Sequence, residues 1–221
     1  MIKISIDSEL KKVAPFLNLG LVEAMVEITK HDDLLWKKIN SYIREIMNTL
    51  TLETLTEIPQ IKVLRDAYKA IGKDPSRYRG SQEALLRRIL QGKGLYQINT
   101  VVDINNYVSL QSKQSIGCYD VSKLTPPIVF RIGKPGEQYK GIGKEMINIE
   151  GLPVFADAHG PFGSPTSDSE RAMIRPETKQ VLMVIIAFAE DPQLAAHLAS
   201  MAELLETFAK APKVATSFPE S

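Results

Sequence analysis

Apolar positions change their spacing along the chain, and each change predicts a different kind of element. MIKISI at the start alternates well enough for a short strand, and LNLGLVEAMVEI after it has the partly alternating pattern of a second. After Lys30 the period becomes helical. Leu34, Leu35, Ile39, Tyr42, Ile43, Ile46, Met47 and Leu50 recur behind Asp32 and Asp33, whose charges suit a helix N-terminus. A second helix runs through Ile61, Leu64, Tyr68 and Ile71 and stops at Gly72. A third starts at a Ser81 cap, turns Leu85, Leu86, Ile89 and Leu90 inward, and stops near Gly92. INTVVDINNYVSL sets Val101, Val102, Ile104 and Val108 against Asp103, Asn105, Asn106 and Tyr107, which reads as a helix or a turn whose asparagines cap backbone groups.

From Ile128 the texture is β: IVFRI, a Gly-rich stretch, MINIEG and PVFADA follow one another with Gly and Pro between them. TKQVLMVIIAFAE is too apolar for a half-exposed strand and predicts a central one, buried on both faces. Asp191 as N-cap and Pro192 at the first helical position open a last helix through Leu194, Leu198, Met201, Leu205 and Phe208, and the tail KVATSFPES is expected to fray. The whole predicts an α+β fold, a mixed or antiparallel sheet flanked by helices, in one domain over residues 1–212. Its parts are a helical preface at about 30–75, a core at about 79–190, a C-terminal helix at about 192–210, and a flexible tail at 213–221.

Composition narrows the chemistry. With 221 residues, 44% of them apolar, the chain can bury a sizeable core. Its longest apolar run, VLMVIIAFA, is about half the roughly 20 residues that cross a bilayer, and the start has no signal-peptide apolar region. The expectation is a cytoplasmic protein with no membrane partner. One cysteine, Cys118, excludes an internal disulfide and a Cys-based zinc cluster. His31, His159 and His197 lack metal-ligand spacing, so neither a metal nor a cofactor is expected. Net charge is +1, yet residues 62–94 hold nine basic side chains against three acidic ones. That stretch is either a solvated helical face or a phosphate-contacting patch, with Arg77, Arg79, Arg87 and Arg88 among its basic residues. Arg87 and Arg88 are expected to point outward, beside the core face of their helix.

Two segments have a composition suited to a site. GKPGEQYKGIGK has phosphate-loop glycines, but Ile142 stands where the Lys-Ser/Thr pair belongs, so it reads as a β-hairpin turn. DAHGPFGSPTSDSER, residues 157–171, is the densest polar cluster, and Gly160, Gly163 and Pro165 let its backbone turn sharply. His159 with Asp157 or Asp168 is a candidate acid/base pair there. The alternative is a surface loop whose Ser, Thr and Asp side chains satisfy their own backbone. No GxSxG elbow supports a serine hydrolase.

INTVVDINNYVSL, then SIGCYDVSKL, then IVFRIGKPGEQYKGIGKEMINIEGLPVFADAHG resemble in order and spacing the editing domain of the phenylalanyl-tRNA synthetase beta subunit, over about Arg79 to Val184. The DSER-containing loop is similar to solo versions of that domain. The resemblance implies an α+β fold, binding of the aminoacylated 3′ end of tRNA, and hydrolysis of a wrongly attached tyrosine. Asn106 matches the family's pocket asparagine. Two positions depart from the pattern: Gly117 stands where the family has a histidine, two residues before the aromatic-aspartate pair Tyr119-Asp120, and Val184 stands where it has a glutamate that reads the tyrosine hydroxyl. The fold and the pocket location carry over, and the substrate does not.

The first expectation is therefore trans-editing of an aminoacyl-tRNA. Arg77, Arg79, Arg87 and Arg88 hold the tRNA phosphates, Asn106 and Asp168 position a water, His159 assists as base, and backbone N–H groups near Gly163 and Ser164 stabilise the oxyanion. Gly117, Cys118, Thr166, Ser167 and Val184 complete the substrate-binding set. A second expectation is a non-catalytic RNA-binding or amino-acid-sensing module on the same fold. A third is a small-molecule hydrolase using the polar loop.

Overall fold

The computed structural model describes residues 2–219. The chain runs β1 (Ile4–Ile6), α1 (Ser8–Val13), β2 (Asn18–Met25), α2 (Asp33–Thr49), α3 (Pro59–Ala70), α4 (Ser81–Leu90), α5 (Thr100–Ser112), β3 (Ser115–Asp120) and β4 (Ile128–Ile132). It continues through β5 (Gln138–Lys140), β6 (Met146–Asn148), β7 (Pro153–Asp157), β8 (Gly160–Gly163), β9 (Gln180–Ala187), α6 (Leu194–Phe208) and β10 (Val214–Ser217). None of the described helices is long and apolar enough to cross a membrane.

The most apolar run of the sequence is the strand around which two cores form. β9 sits inside an antiparallel sheet ordered β10-β2-β9-β3, and residues Val181 to Ala187 are each no more than 1% exposed. Leu182, Val184 and Ile186 face a second sheet, ordered β1-β4-β7-β8, whose Phe130, Phe155 and Phe162 fill the space between the sheets. Val181, Met183, Ile185 and Ala187 face the opposite way, onto Val101, Ile104 and Val108 of α5 and Leu198, Met201 and Leu205 of α6. Each such side chain contributes about 1.5–3 kcal/mol when fully buried, which is why this strand tolerates no polar face.

Local signals set most helix ends. The Asp32 carboxylate accepts from Leu35 N at 2.8 Å, Pro59 opens α3, and Gly72 takes φ +75° just past its end. INTVVDINNYVSL is a helix, capped by Asn99, whose side chain accepts from Val102 N at 3.0 Å. Asn105 and Asn106 are thereby free of any capping role. Two starts differ from expectation. Gly80 occupies the cap position of α4, and Ser81 N instead donates to Pro165 O at 2.7 Å. α6 starts at Leu194, two residues beyond Pro192, while the Asp191 carboxylate still accepts from Gln193 N at 2.9 Å.

The tail is not free along its length. Residues 214–217 pair antiparallel with β2, from Val214 opposite Ala24 to Ser217 opposite Leu21. The physical reason is the exposed edge that β2 would otherwise present, since β9 satisfies only its other side. Residues 220 and 221, also in the expected tail, lie outside the described residues. β1, β2 and β10 fall outside the stretch 79–190, yet each completes one of the two large sheets. GKPGEQYKGIGK forms most of a hairpin, with β5 paired to β6 and residues 141–145 at its tip.

Four cross-strand pairs hold β10, so ending the chain at Lys213 is expected to lower the unfolding free energy by about 1–3 kcal/mol. Denaturant unfolding with an unchanged midpoint would show that β10 adds nothing.

Candidate functional site

β3 is the edge strand of its sheet, and all six of its residues are buried. The cover is the loop from Gly163 to Asp168. Ser115 Oγ donates to Pro165 O at 2.9 Å, and the Cys118 backbone N–H faces the Asp168 carboxylate. On the helix side, Asn105 Nδ2 reaches Ile116 O at 3.5 Å, while its Oδ1 is buried without a partner among the described residues.

Three tyrosine hydroxyls hold this loop from beneath. Tyr119 Oη donates to Asp168 Oδ1 at 2.9 Å, Tyr139 Oη donates to Ser167 O at 2.5 Å, and Tyr68 Oη lies 2.8 Å from Thr166 Oγ1. Ser164 Oγ closes the turn, donating to Ser167 O at 2.8 Å and accepting from Ser167 N at 3.1 Å. From the hairpin, Ile142 N donates to Asp168 O at 3.0 Å. With so many contacts the loop is a fixed frame for the Asp168 carboxylate.

Two glycines admit the Tyr119 hydroxyl. A Cβ at Gly117 or at Gly163 would stand 2.1 Å from Tyr119 Oη. The ring lies edge-on to Phe162, with centroids 4.8 Å apart, and to Phe155 at 6.0 Å. Gly117 and Val184 are cross-strand partners, so the two departures from the editing-domain pattern lie side by side.

Asp168 is the electrostatically unusual group. Burial pushes its carboxyl up to about 7, against the pull of the Tyr119 hydroxyl and the Ser164 and Cys118 amides toward the ionised form. The Ser164 N–H donates to Asp168 Oδ1 at 3.2 Å, so this amide serves the carboxylate and not a separate oxyanion. The Cys118 side chain packs in the helix-side core, and burial pushes its thiol up, which keeps it protonated and unreactive.

Other candidates are held elsewhere. His159 is exposed in the β7–β8 turn; its backbone N donates to Asp157 Oδ1 at 2.9 Å, and its ring has no hydrogen bond among the described residues. Asp157 is instead gripped by the Arg171 guanidinium at 3.0 and 3.1 Å. Asn106 is half-buried on α5, one position round from Asn105, with no hydrogen bond to Asp168.

The arginines share a carboxylate that the count of charges along the sequence hid. Glu83, 1% exposed, pairs with Arg65 at 3.1 Å, Arg87 at 2.8 Å and Arg79 at 3.7 Å. Arg87 is therefore turned onto its own helix and does not point freely outward. Arg88 lies 3.7 Å over the Tyr96 ring and donates to Tyr96 Oη at 2.9 Å, and Arg77 lies 5.5 Å over Tyr78. Sequence reasoning missed Tyr119, Tyr139, Tyr68 and Glu83; the signal for Tyr119 was a glycine two residues before it, on the same face of its strand.

Residues 63–204 match the family model of the B3/4 domain. The chain belongs to the B3/4 domain family. A 151-residue stretch is 28% identical to the phenylalanine–tRNA ligase beta subunit of Aquifex aeolicus, covering 60% of this chain and 20% of that protein. Over 81 residues the identity to the same subunit of Bifidobacterium longum is 37%, covering 36% of this chain and 9% of that protein. The matched part thus spans a fifth or less of these relatives. An N-terminal fragment of the phenylalanyl-tRNA synthetase beta subunit from Pyrococcus horikoshii superimposes with a TM-score of 0.50 at 14% identity, covering 100% of this chain and 55% of that one. That likeness is one of fold.

In this B3/4 chain, Gly117→Ala is expected to cost about 1–3 kcal/mol, because the methyl collides with Oη, Cζ and Cε2 of Tyr119. Denaturant unfolding checks it: a Gly117→Ala variant as stable as the parent would show that the end of the Tyr119 ring does not fill that space.

Proposed function

We propose that the chain binds the aminoacylated 3′ end of a tRNA against the loop that covers the edge of β3 and hydrolyses the ester that joins amino acid to RNA. The observation that carries this reading is Asp168: a carboxyl fixed by its neighbours and titrating at about 7 is partly ionised at neutral pH, as a general base must be. Family membership supports the RNA half, since the relatives are named as tRNA ligase subunits. The reading places the chain in the cytoplasm with its substrate.

In the reaction, Asp168 takes a proton from a water as the water oxygen bonds to the ester carbonyl carbon. The bond from that carbon to the ribose oxygen then breaks, and the ribose oxygen receives the proton. Free amino acid and tRNA result, and no cofactor enters. Asn106 and the backbone at Gly163 orient the aminoacyl group. Asp168 serves as base in preference to His159, whose ring has no hydrogen-bond partner among the described residues to orient it. Arg77 and Arg88 meet phosphates, aided by the positive excess of Arg65, Arg79 and Arg87 around Glu83. Neither Gly117 nor Val184 offers a partner to a tyrosine hydroxyl, so tyrosine has no advantage over other amino acids.

A second reading, binding without hydrolysis, is favoured by the Ser164 amide, which is engaged with Asp168 and not free for an oxyanion. Deacylation of a panel of mischarged tRNAs separates the two. The expected result is turnover of at least one substrate, with a rate that rises with pH through about 7 because the base must be ionised. Asp168→Asn and Asn106→Ala should each lower it by about a hundredfold or more. Salt-dependent binding with no turnover would favour the second reading, and absence of both would refute the tRNA assignment.

A further inference from the structure

The Tyr119 hydroxyl does more than pack. Its ring is seated edge-on against Phe155 and Phe162, and these ring contacts do not involve the oxygen. The hydroxyl end of the ring lies between glycines on two different strands, Gly117 on β3 and Gly163 on β8, where a Cβ would stand 2.1 Å from Oη and 2.5 or 2.6 Å from Cζ. The oxygen then meets a single acceptor, Asp168 Oδ1, at 2.9 Å. The loop has other ties besides this bond: Tyr139 holds Ser167 O, Tyr68 holds Thr166 Oγ1, and Ser164 Oγ closes the turn.

We infer that Tyr119 is a positioning residue, whose hydroxyl sets the orientation and the proton affinity of the Asp168 carboxylate. This rests on the reading of Asp168 as the general base. The groups around that carboxylate come from three elements: Tyr119 with the Cys118 amide and thiol from β3, the Ser164 amide from the loop itself, and Tyr139 from β5. Among them Tyr119 is the one side chain that donates a hydrogen bond directly to the carboxylate. A donated hydrogen bond favours the ionised form, so its loss makes Asp168 harder to ionise.

The test is Tyr119→Phe in the full chain, with Thr166→Val as a companion that cuts the Tyr68 tether and leaves Asp168 untouched. Carbon-13 NMR of the labelled Asp168 carboxyl follows its titration without needing any activity. Tyr119→Phe should move the midpoint upward from about 7, and Thr166→Val should leave it where it is. In deacylation, Tyr119→Phe should lower kcat at neutral pH on the order of tenfold, with KM little changed and the pH profile displaced upward. An unmoved NMR midpoint in Tyr119→Phe, or an equal displacement in Thr166→Val, would overturn the inference. If the parent protein hydrolyses no aminoacyl-tRNA, the general-base reading fails, while the NMR titration still decides whether Tyr119 controls Asp168.

Discussion

An edge strand whose six residues are all buried needs a cover that also faces its outward amides, and the loop from Gly163 to Asp168 supplies both for β3. Much of the surrounding structure serves that requirement. α4 begins by donating Ser81 N to the loop at Pro165, the hairpin adds Ile142 N, and tyrosines from α3, β3 and β5 fix the loop at three successive residues. A carboxylate placed in such a frame loses water without gaining a cation, which is the condition that raises its proton affinity. The unusual chemistry of Asp168 follows from the way the sheet edge is closed.

β9 makes this closure possible. Because both of its faces are buried, helices occupy one side and the second sheet the other, and β3 beside it inherits the same division. Gly117 and Tyr119 face the inter-sheet core, while the Cys118 side chain between them faces the helices. One period-two alternation thus decides which of three consecutive residues joins the Asp168 cluster. Asn105 reaches β3 from the helix side, at Ile116 O.

What the sequence made legible was local. An apolar run too dense for a half-exposed strand marked β9, and Asp32, Pro59 and Gly72 marked helix ends through chemistry confined to a few neighbours. β10 gave no such signal, since four short residues become a strand only because β2 offers them an edge. Tyr119 and Asp168 lie 49 positions apart, and nothing in either neighbourhood announces their bond. Glu83 looked like one acid among many bases, but burial among Arg65, Arg79 and Arg87 makes it the centre of that cluster. His159 was conspicuous by residue type alone, and the β7–β8 turn leaves it exposed and unpaired among the described residues.

The B3/4 fold here carries a carboxylate poised near neutrality at the edge of a sheet, with polar side chains of α5 on one flank and cationic side chains along α4. The central claim is that an aminoacyl ester is held at that edge. A crystal structure of the chain with a non-hydrolysable aminoacyl-adenosine, the ester replaced by an amide, tests it most directly. The expected result is the amide carbonyl beside the Asp168 carboxylate, against the loop from Gly163 to Asp168 that closes the edge of β3. Density for the compound only at places away from Asp168 would contradict it.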